Sequence, residues 1–302
     1  MAASRVVALL DVVLGYDCNL ACDYCTISPE MRKRAMSTER VAREIDRAAS
    51  RGFGDVAFTG GEPTIRADLP ALIKLAKRRG FEHVKVASNG LRYAHAPYLD
   101  HLVSCGVDRF NVSLHAMNDT DYERTVQLAG TAQHRRLAIK HLVDRGLDPT
   151  ADLIIKTDTA PIIDEWITSL VALGLRRFAL WLVSLTDHNA PNTHQLPSIS
   201  SVVPHVLRAF DNARRGGYEV TALHIPRCFV PGYEEHIVHP GADLVTVVTP
   251  DDVFDLKDSR LGGGVKAPAC SGCTFESTCP GVRRDYADRF GFSELRTVYT
   301  RS

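Results

Sequence analysis

Shortly after its start the chain reads Cys18-Asn19-Leu20-Ala21-Cys22-Asp23-Tyr24-Cys25, with cysteines at C-x₃-C-x₂-C spacing directly after a strongly apolar run. Thiolate sulfur is the ligand that holds iron–sulfur clusters, and short cysteine loops supply it. A cubane cluster has about four irons, so three thiolates leave one iron open to a group other than protein. A structural zinc loop is the alternative, but a closed zinc site requires a fourth ligand, which this stretch does not provide.

A second motif, Gly60-Gly61-Glu62-Pro63, follows the next predicted strand. The two motifs together resemble the signature of the radical S-adenosylmethionine (radical SAM) superfamily, down to Tyr24 before the last cysteine. This resemblance covers roughly residues 6–220. It implies that Cys18, Cys22 and Cys25 hold a [4Fe–4S] cluster, whose open iron binds S-adenosylmethionine, and that Glu62 meets the ammonium group of that cofactor. It also implies reductive cleavage of S-adenosylmethionine to a 5′-deoxyadenosyl radical, which abstracts hydrogen from an organic substrate.

Composition sets limits on the class of protein. The 302 residues are 45% hydrophobic and 24% charged, which is ordinary for a globular chain and allows one domain with an appendage. Lys+Arg and Asp+Glu are both 36, so no broad basic surface for nucleic acid or anionic membrane is expected. We see neither a membrane-spanning apolar run nor a signal peptide, and therefore expect a cytoplasmic protein.

Apolar segments alternate with helical patterns along the first two thirds of the chain. Repeated strand–helix units predict a parallel sheet covered by helices, and periodicity alone fits a barrel or an open sheet equally well. The resemblance implies the barrel, a six-unit partial (β/α)₆ barrel similar to a TIM barrel. The six predicted strands are residues 6–14, 55–59, 83–87, 109–115, 151–156 and 177–183.

Polar clusters follow the carboxyl ends of these predicted strands, where a parallel barrel keeps its active site. The resemblance implies close backbone approach to the cofactor at Gly60 and Gly61. Ser88, Asn89 and Ser113 are placed to bond its ribose or carboxylate, and Ser88-Asn89-Gly90 reads equally as a turn. Tyr24 is expected against the adenine or beneath the loop, and Leu182 is an apolar contact for the adenine.

Possible substrate contacts lie at the same strand ends. His115 shares strand parity with Ser113, so both are expected to face the barrel interior. Lys156 and Trp181 are near the ends of the fifth and sixth predicted strands. The alternatives are a structural histidine, a solvated lysine and a core tryptophan, and for Trp181 the core position is favoured.

A second cysteine group lies in the tail. Cys228, Cys270, Cys273 and Cys279 form a complete Cys₄ set for either a cubane cluster or zinc, and spacing does not choose between them. The tail resembles the shortened SPASM, or twitch, extensions of radical SAM enzymes, which implies one auxiliary [4Fe–4S] cluster. Cys228 is the least certain ligand because a long segment separates it from the others. We predict a barrel domain at 1–220 and a cluster-bearing extension at 221–302.

The resemblance favours net oxidation or cross-linking of a natural product, peptide or metabolite, with the auxiliary cluster accepting the second electron from the substrate. Few residues precede the first predicted strand, which favours a small molecule over a peptide. One alternative is a redox-neutral rearrangement in cofactor biosynthesis, similar to the molybdopterin enzyme of this superfamily. Another is a non-catalytic zinc or iron–sulfur interaction module. The expected partner is a flavodoxin- or ferredoxin-type reductant, with no nucleic acid and no membrane.

Overall fold

The computed structural model describes residues 8–239, 244–259 and 264–298. Its centre is one sheet of ten strands in the order β10-β9-β1-β2-β3-β4-β5-β6-β7-β8, in which all neighbours are parallel except β9 and β10. The strands are β1 Leu9–Val13, β2 Asp55–Thr59, β3 His83–Ser88, β4 Arg109–Ser113, β5 Thr150–Ile155, β6 Arg177–Leu182, β7 Glu219–Leu223, β8 Ile237–Val238, β9 Val245–Val248 and β10 Val253–Asp255.

Helices connect the strands from β1 to β7, as right-handed crossovers between parallel strands require. Two of them begin at serine caps: Ser37 accepts a hydrogen bond from the Arg40 amide, and Ser198 accepts one from the Ser201 amide. The helices are α1 Thr38–Ser50, α2 Leu69–Arg78, α3 Ala96–Cys105, α4 Asp119–Val126, α5 Ala132–Asp144, α6 Ile163–Ala172, α7 Ile199–Gly216 and α8 Arg284–Phe290.

The predicted α/β partial barrel is confirmed, and the sheet is open because β8 and β10 stand at its two ends. Burial alternates along the strands, as the two-residue period of a strand demands. In β1, Leu10 and Val12 are buried in the main core, whereas Asp11 between them is partly exposed. Apolar residues therefore pack outward under the helices, and the opposite face lines the barrel interior, called the lumen below.

Four strands of the sheet, β7 to β10, lie outside the six predicted strand–helix units, and helix α4 lies within them without having been predicted. β7 lies parallel to β6, and β9 from the tail lies parallel to β1 on its free side. The helix α4 was not predicted because its eight residues are mostly polar and its only clear signal is the Asn118 cap. The boundary predicted between residues 220 and 221 falls inside β7, and the two-domain division stays a prediction.

Arg283 fastens the tail to the barrel. Its guanidinium donates to the carbonyl oxygens of Leu182 and Val183 at 2.8 and 2.5 Å, and it pairs with Asp285 at 2.8 Å. The side chains of Arg283 and Asp285 are only 5% and 8% exposed. Asp285 also accepts a hydrogen bond from the Leu185 amide, so this one ion pair ties the tail to the end of β6.

Among the helices that the structure describes, none has the length and apolar character needed to cross a membrane.

Arg283→Met should lower the free energy of unfolding by about 3–5 kcal/mol, because it leaves the Asp285 carboxylate buried without its partner. Urea unfolding followed by circular dichroism measures the change. Arg284→Met is the matched control, since Arg284 is exposed, and should cost less than about 0.5 kcal/mol. Equal losses in the two variants would contradict the anchoring role of Arg283.

Candidate functional site

The cysteine loop begins where β1 ends and is held on three sides. The Gly61 amide donates to the Gly15 carbonyl at 2.9 Å, and the Glu62 amide donates to the Asp17 carbonyl at 2.8 Å. The Arg32 guanidinium donates to the carbonyls of Cys18 and Leu20 at 3.1 and 2.7 Å. These contacts fix the backbone around the thiols.

The third side comes from the end of α4. The amides of Ala21 and Asp23 donate to the carbonyls of Val126 and Thr125, at 3.2 and 2.9 Å. This helix was missing from the sequence prediction, so its support of the loop was also missed.

The thiols of Cys18, Cys22 and Cys25 are free and partly buried. Burial, followed by the charges of the other two thiols, raises the pKa of Cys22 far above its ordinary value. Thiols that resist ionisation together become thiolates when a metal compensates their charge. The Leu20 amide lies 3.4 Å from the Cys18 sulfur, as a donor to a cluster ligand would. This donor set fits an iron–sulfur cluster with one iron left open.

Gly60 and Gly61 allow the loops after β1 and β2 to touch. Gly60 has φ +123°, and a Cβ there would overlap the Gly15 carbonyl oxygen. A Cβ on Gly61 would overlap the carbonyl oxygens of Asp17 and Tyr16. The pair is required by close backbone packing against the cysteine loop, which is the reason glycine is used at such contacts.

Glu62 is 2% exposed and accepts four hydrogen bonds. One carboxylate oxygen accepts from the amide and hydroxyl of Thr64 and from the Ser88 hydroxyl, at 2.9, 2.5 and 2.8 Å. The other accepts from the Asn89 amide at 2.7 Å. Burial raises the pKa of Glu62, and these hydrogen bonds oppose the rise. Glu62 thus joins the loop after β2 to the end of β3.

Ser88 and Asn89 are buried beside the cysteine loop. The Asn89 amide side chain donates to Asn19 at 2.8 Å and approaches the Cys18 sulfur at 3.9 Å. The Ser88 hydroxyl also accepts from the Gly90 amide at 2.9 Å, so the turn geometry and the contact with Glu62 coexist. The structure brings Asn89 next to the predicted cluster ligand Cys18, whereas Ser88 contacts Glu62.

His115 contacts the cysteine loop directly. Its Nδ1 is hydrogen-bonded to the Tyr24 hydroxyl and lies 3.9 Å from the Cys22 sulfur. Within the described residues, its buried Nε2 has no hydrogen-bond partner. Burial, followed by the charges of Arg135 and Lys156, lowers the pKa of His115 to about 3, so the ring is neutral. His115 follows the end of β4 at Ser113, where strand alternation stops, and its contact with Tyr24 was not predicted.

Lys156 follows β5 and is buried, with a side chain 3% exposed. Its ammonium lies 3.4 Å from both Asp23 carboxylate oxygens and 5.7 Å from the centre of the Tyr24 ring. Asp158 lies 3.5 Å away on the exposed side. Lys156 therefore lies beside the cysteine loop at the carboxyl ends of the strands, called the rim below. It is not a solvated lysine.

The last predicted contacts divide between the two faces of the sheet. Ser113 is partly exposed and pairs in register with Asp152 of β5. Leu182 is 2% exposed and packs in the main core, on the helix-covered face, while its carbonyl accepts from Arg283. Trp181 has the opposite parity, is partly exposed, and donates its indole N–H to Asp152 at 3.2 Å.

The lumen carries charged side chains that sequence reasoning missed. Asp152 accepts from the Asn111 amide at 3.1 and 3.2 Å, and Asp11 accepts from the Thr59 hydroxyl at 2.6 Å. Burial raises the pKa of Asp152 to about 6, against the opposing effect of its hydrogen bonds. The signal was present as single polar residues at alternate positions of otherwise apolar strands.

The four tail cysteines line one small cavity of about 20 Å³, together with Phe275 and Arg296. All are free thiols. Burial raises the pKa of Cys228, and the charges of the other three thiols add to the rise, so Cys228 lies near them despite its distance in sequence. No group of three or more His, Cys, Asp or Glu side chains in the described residues is arranged around a single metal ion, so the fit of both cysteine sets to a cluster rests on their donor chemistry.

Comparison with known protein families matches one family to the first half of the chain. Residues 12–159 match the profile described as the Radical SAM superfamily. A PqqA peptide cyclase of Granulibacter bethesdensis is 26% identical over 199 residues, which cover 63% of this chain and 53% of that protein. A probable GTP 3′,8-cyclase of Methanopyrus kandleri is 31% identical over 180 residues, which cover 58% of this chain and 57% of that protein. The chain spans about half the length of the curated relatives it matches.

Two solved structures share the fold over most of this chain. Streptococcus suis SuiB bound to S-adenosylmethionine superposes with a TM-score of 0.68 at 13% identity, covering 91% of this chain and 72% of SuiB. The enzyme anSMEcpe, with bound AdoMet and Kp18Cys peptide, superposes with a TM-score of 0.66 at 15% identity, covering 97% and 93%. At these identities the likeness concerns the fold alone.

Gly61→Ala should displace the cysteine loop, because the new Cβ overlaps two fixed carbonyl oxygens. We expect destabilisation of about 2–4 kcal/mol together with reduced iron uptake, measured by urea unfolding and iron analysis after anaerobic reconstitution. Gly217→Ala is the control: its φ is +66° with open space around it, so it should cost about 1 kcal/mol and leave iron uptake unchanged. Normal iron uptake in Gly61→Ala would contradict the role of the contact.

Asp152 should make stability depend on pH in a specific direction. Because its pKa is raised to about 6 in the folded state, the folded protein binds this proton more tightly than the unfolded chain. Its contribution to stability therefore grows as the pH falls through about 6. Relative to Asp152→Asn, the wild type should gain about 1 kcal/mol between about pH 7.5 and about pH 5, measured by urea unfolding. A constant difference between the two proteins would contradict the shift.

Proposed function

The chain belongs to the radical SAM superfamily, and we propose that this enzyme abstracts a hydrogen atom from an organic substrate held in its lumen. When bound, the iron–sulfur cluster supplies one electron that cleaves S-adenosylmethionine to methionine and a 5′-deoxyadenosyl radical. The observation that carries the proposal is the convergence of three free thiols, the glycine contact and Glu62 on one rim above a polar lumen.

We assign the cofactor contacts to the residues around the cysteine loop. Cys18, Cys22 and Cys25 hold the cluster. Glu62, whose two oxygens face the ends of β2 and β3, holds the cofactor ammonium, and Ser88, Asn89 and Ser113 meet its polar groups. Tyr24, fixed by His115, orients the loop from the lumen side. Leu182 supports the site from the core face rather than by touching adenine, since its side chain packs there.

The tail cysteines are proposed to hold a second cluster. Their shared cavity supports a set of four, with Cys228 included. When bound, such a cluster supplies an acceptor for the second electron of a net oxidation, the substrate losing one hydrogen atom and then one electron and one proton. Zinc in the same set is the competing occupant, which metal analysis distinguishes.

A peptide or a small molecule is the proposed substrate. SuiB has been solved with a precursor peptide and anSMEcpe with a peptide, and one relative is a peptide cyclase, which together favour a peptide. Cyclisation of a nucleotide is the second candidate, because the more identical relative is a probable GTP cyclase. Against it, the lumen presents the carboxylate of Asp152, which repels a triphosphate. The flavodoxin- or ferredoxin-type reductant and the cytoplasmic location stay predictions.

Anaerobic reconstitution followed by dithionite and S-adenosylmethionine tests the proposal. The wild type should carry about eight irons per chain and form 5′-deoxyadenosine. Cys22→Ala should keep about four irons and form none, because the electron source is lost. Cys273→Ala should also keep about four irons but still cleave the cofactor, because only the tail site is lost.

Cys105→Ala is the matched control, since Cys105 is a buried cysteine in the core apart from both thiol sets. It should match the wild type in iron content and product. Absence of 5′-deoxyadenosine from fully loaded wild type would exclude the proposed reaction. About four irons with one zinc in the wild type would exclude the second cluster while leaving the first intact.

A further inference from the structure

The lumen of this barrel is polar at positions that structural stability alone would fill with apolar residues. In packed barrels, inward positions are dominated by branched apolar side chains. Here the partly exposed, inward-facing residues include Asp11 of β1, Lys85 of β3, Asn111 of β4, Asp152 of β5 and Trp181 of β6. Their neighbours along each strand are buried under the helices. The lumen is therefore a solvent-reached space with charged walls below the cysteine rim.

Asp152 is the best-defined anion of this space. Two of its neighbours donate to it, Asn111 to both oxygens and Trp181 to Oδ1. A carboxylate has about four acceptor positions, so Oδ2, which accepts only from Asn111 at 3.2 Å, retains capacity for another donor. With a pKa of about 6, the carboxylate is mostly ionised at neutral pH.

An aromatic wall stands beside this carboxylate. The Trp181 ring lies 5.8 Å from the His224 ring, and Trp181 is partly exposed to the lumen. His224 follows β7 in the left-handed region, at φ +67°, a conformation that costs about 1–2 kcal/mol for a residue with a side chain. Burial lowers the pKa of His224 to about 3, so this ring adds no positive charge.

We propose that Asp152 and Trp181 form a subsite for a cationic substrate group, an alkylammonium or a guanidinium. A carboxylate with a free acceptor position and an adjacent indole face are complementary to a cation by charge and by cation–π attraction. Asp11 adds a second carboxyl group on the same face, and Lys85 is a cation that acts on both carboxyl groups. This inference rests on the proposed function, because it names the substrate class of the same lumen.

Two classes of substrate present such a cation. One is a peptide with a lysine or arginine side chain, and the other is an amino sugar. Binding to the reconstituted enzyme with S-adenosylmethionine is measured by anaerobic calorimetry, using matched probes. N-acetyl-L-lysine N-methylamide is compared with the norleucine analogue, and D-glucosamine with D-glucose. At least one cation should bind about tenfold or more tighter than its neutral partner, as hydrogen bonds to charged groups support. The arm that shows this preference identifies the source of the cation.

Asp152→Asn should reduce that preference to about twofold or less, and Trp181→Leu should weaken the cation several-fold while the carboxylate remains. The second variant keeps the inference testable if the first does not fold. Asp144→Asn, a substitution of an exposed carboxylate on α5, should leave the preference unchanged. The inference is overturned if no cation is preferred by the wild type, or if Asp152→Asn keeps the preference. Formation of 5′-deoxyadenosine is assayed in parallel, so a failure of the radical reaction is distinguished from a failure of this subsite.

Discussion

Two backbone hydrogen bonds hold the cysteine loop against the next strand: Gly61 N–H to Gly15, and Glu62 N–H to Asp17. Both need glycines at 60 and 61, because a Cβ at either position would occupy the space of a carbonyl oxygen. The same contact turns the Glu62 carboxylate inward, where it collects donors from the ends of β2 and β3. Three loops thus become one rigid unit before any cofactor binds, which is the preorganisation that a precise site requires.

Local chemistry made the rim predictable. Closely spaced cysteines, a Gly-Gly-Glu motif and strand–helix alternation are each written in a few neighbouring residues. The alternation predicted a parallel sheet with the loops at its carboxyl ends, and the family resemblance implied the partial barrel. The lumen was harder because Asp11, Asp152 and Trp181 come from different strands, and each is a single polar residue or tryptophan in an apolar run. Only the pairing of neighbouring strands in the sheet brings these three side chains onto one face. The helix α4 was missed because its packing, rather than its weak sequence pattern, forms it.

The rim and the lumen divide the work of the proposed enzyme. The rim is built from neutral or paired groups: His115 is uncharged, and Lys156 is balanced by Asp23. The lumen instead places the Asp152 carboxylate next to the Trp181 indole. The formation of the radical at the rim does not depend on the charge of the substrate. Discrimination between substrates therefore depends on the residues that line the lumen. This arrangement allows one rim to serve different substrates through changes in a few inward-facing residues.

The pairing of β9 with β1 joins residues 245–248 to residues 9–12, which are far apart in the sequence. During synthesis, β1 can pair with β2 early, but its other edge stays open until residues 245–248 leave the ribosome. Contacts between such distant segments form late, because closing a long loop is slow and costs entropy. The strand that carries the cysteine loop therefore reaches its final support only after β9 has been synthesised. Cofactor insertion into a correctly supported loop, by this order of assembly, follows the synthesis of β9.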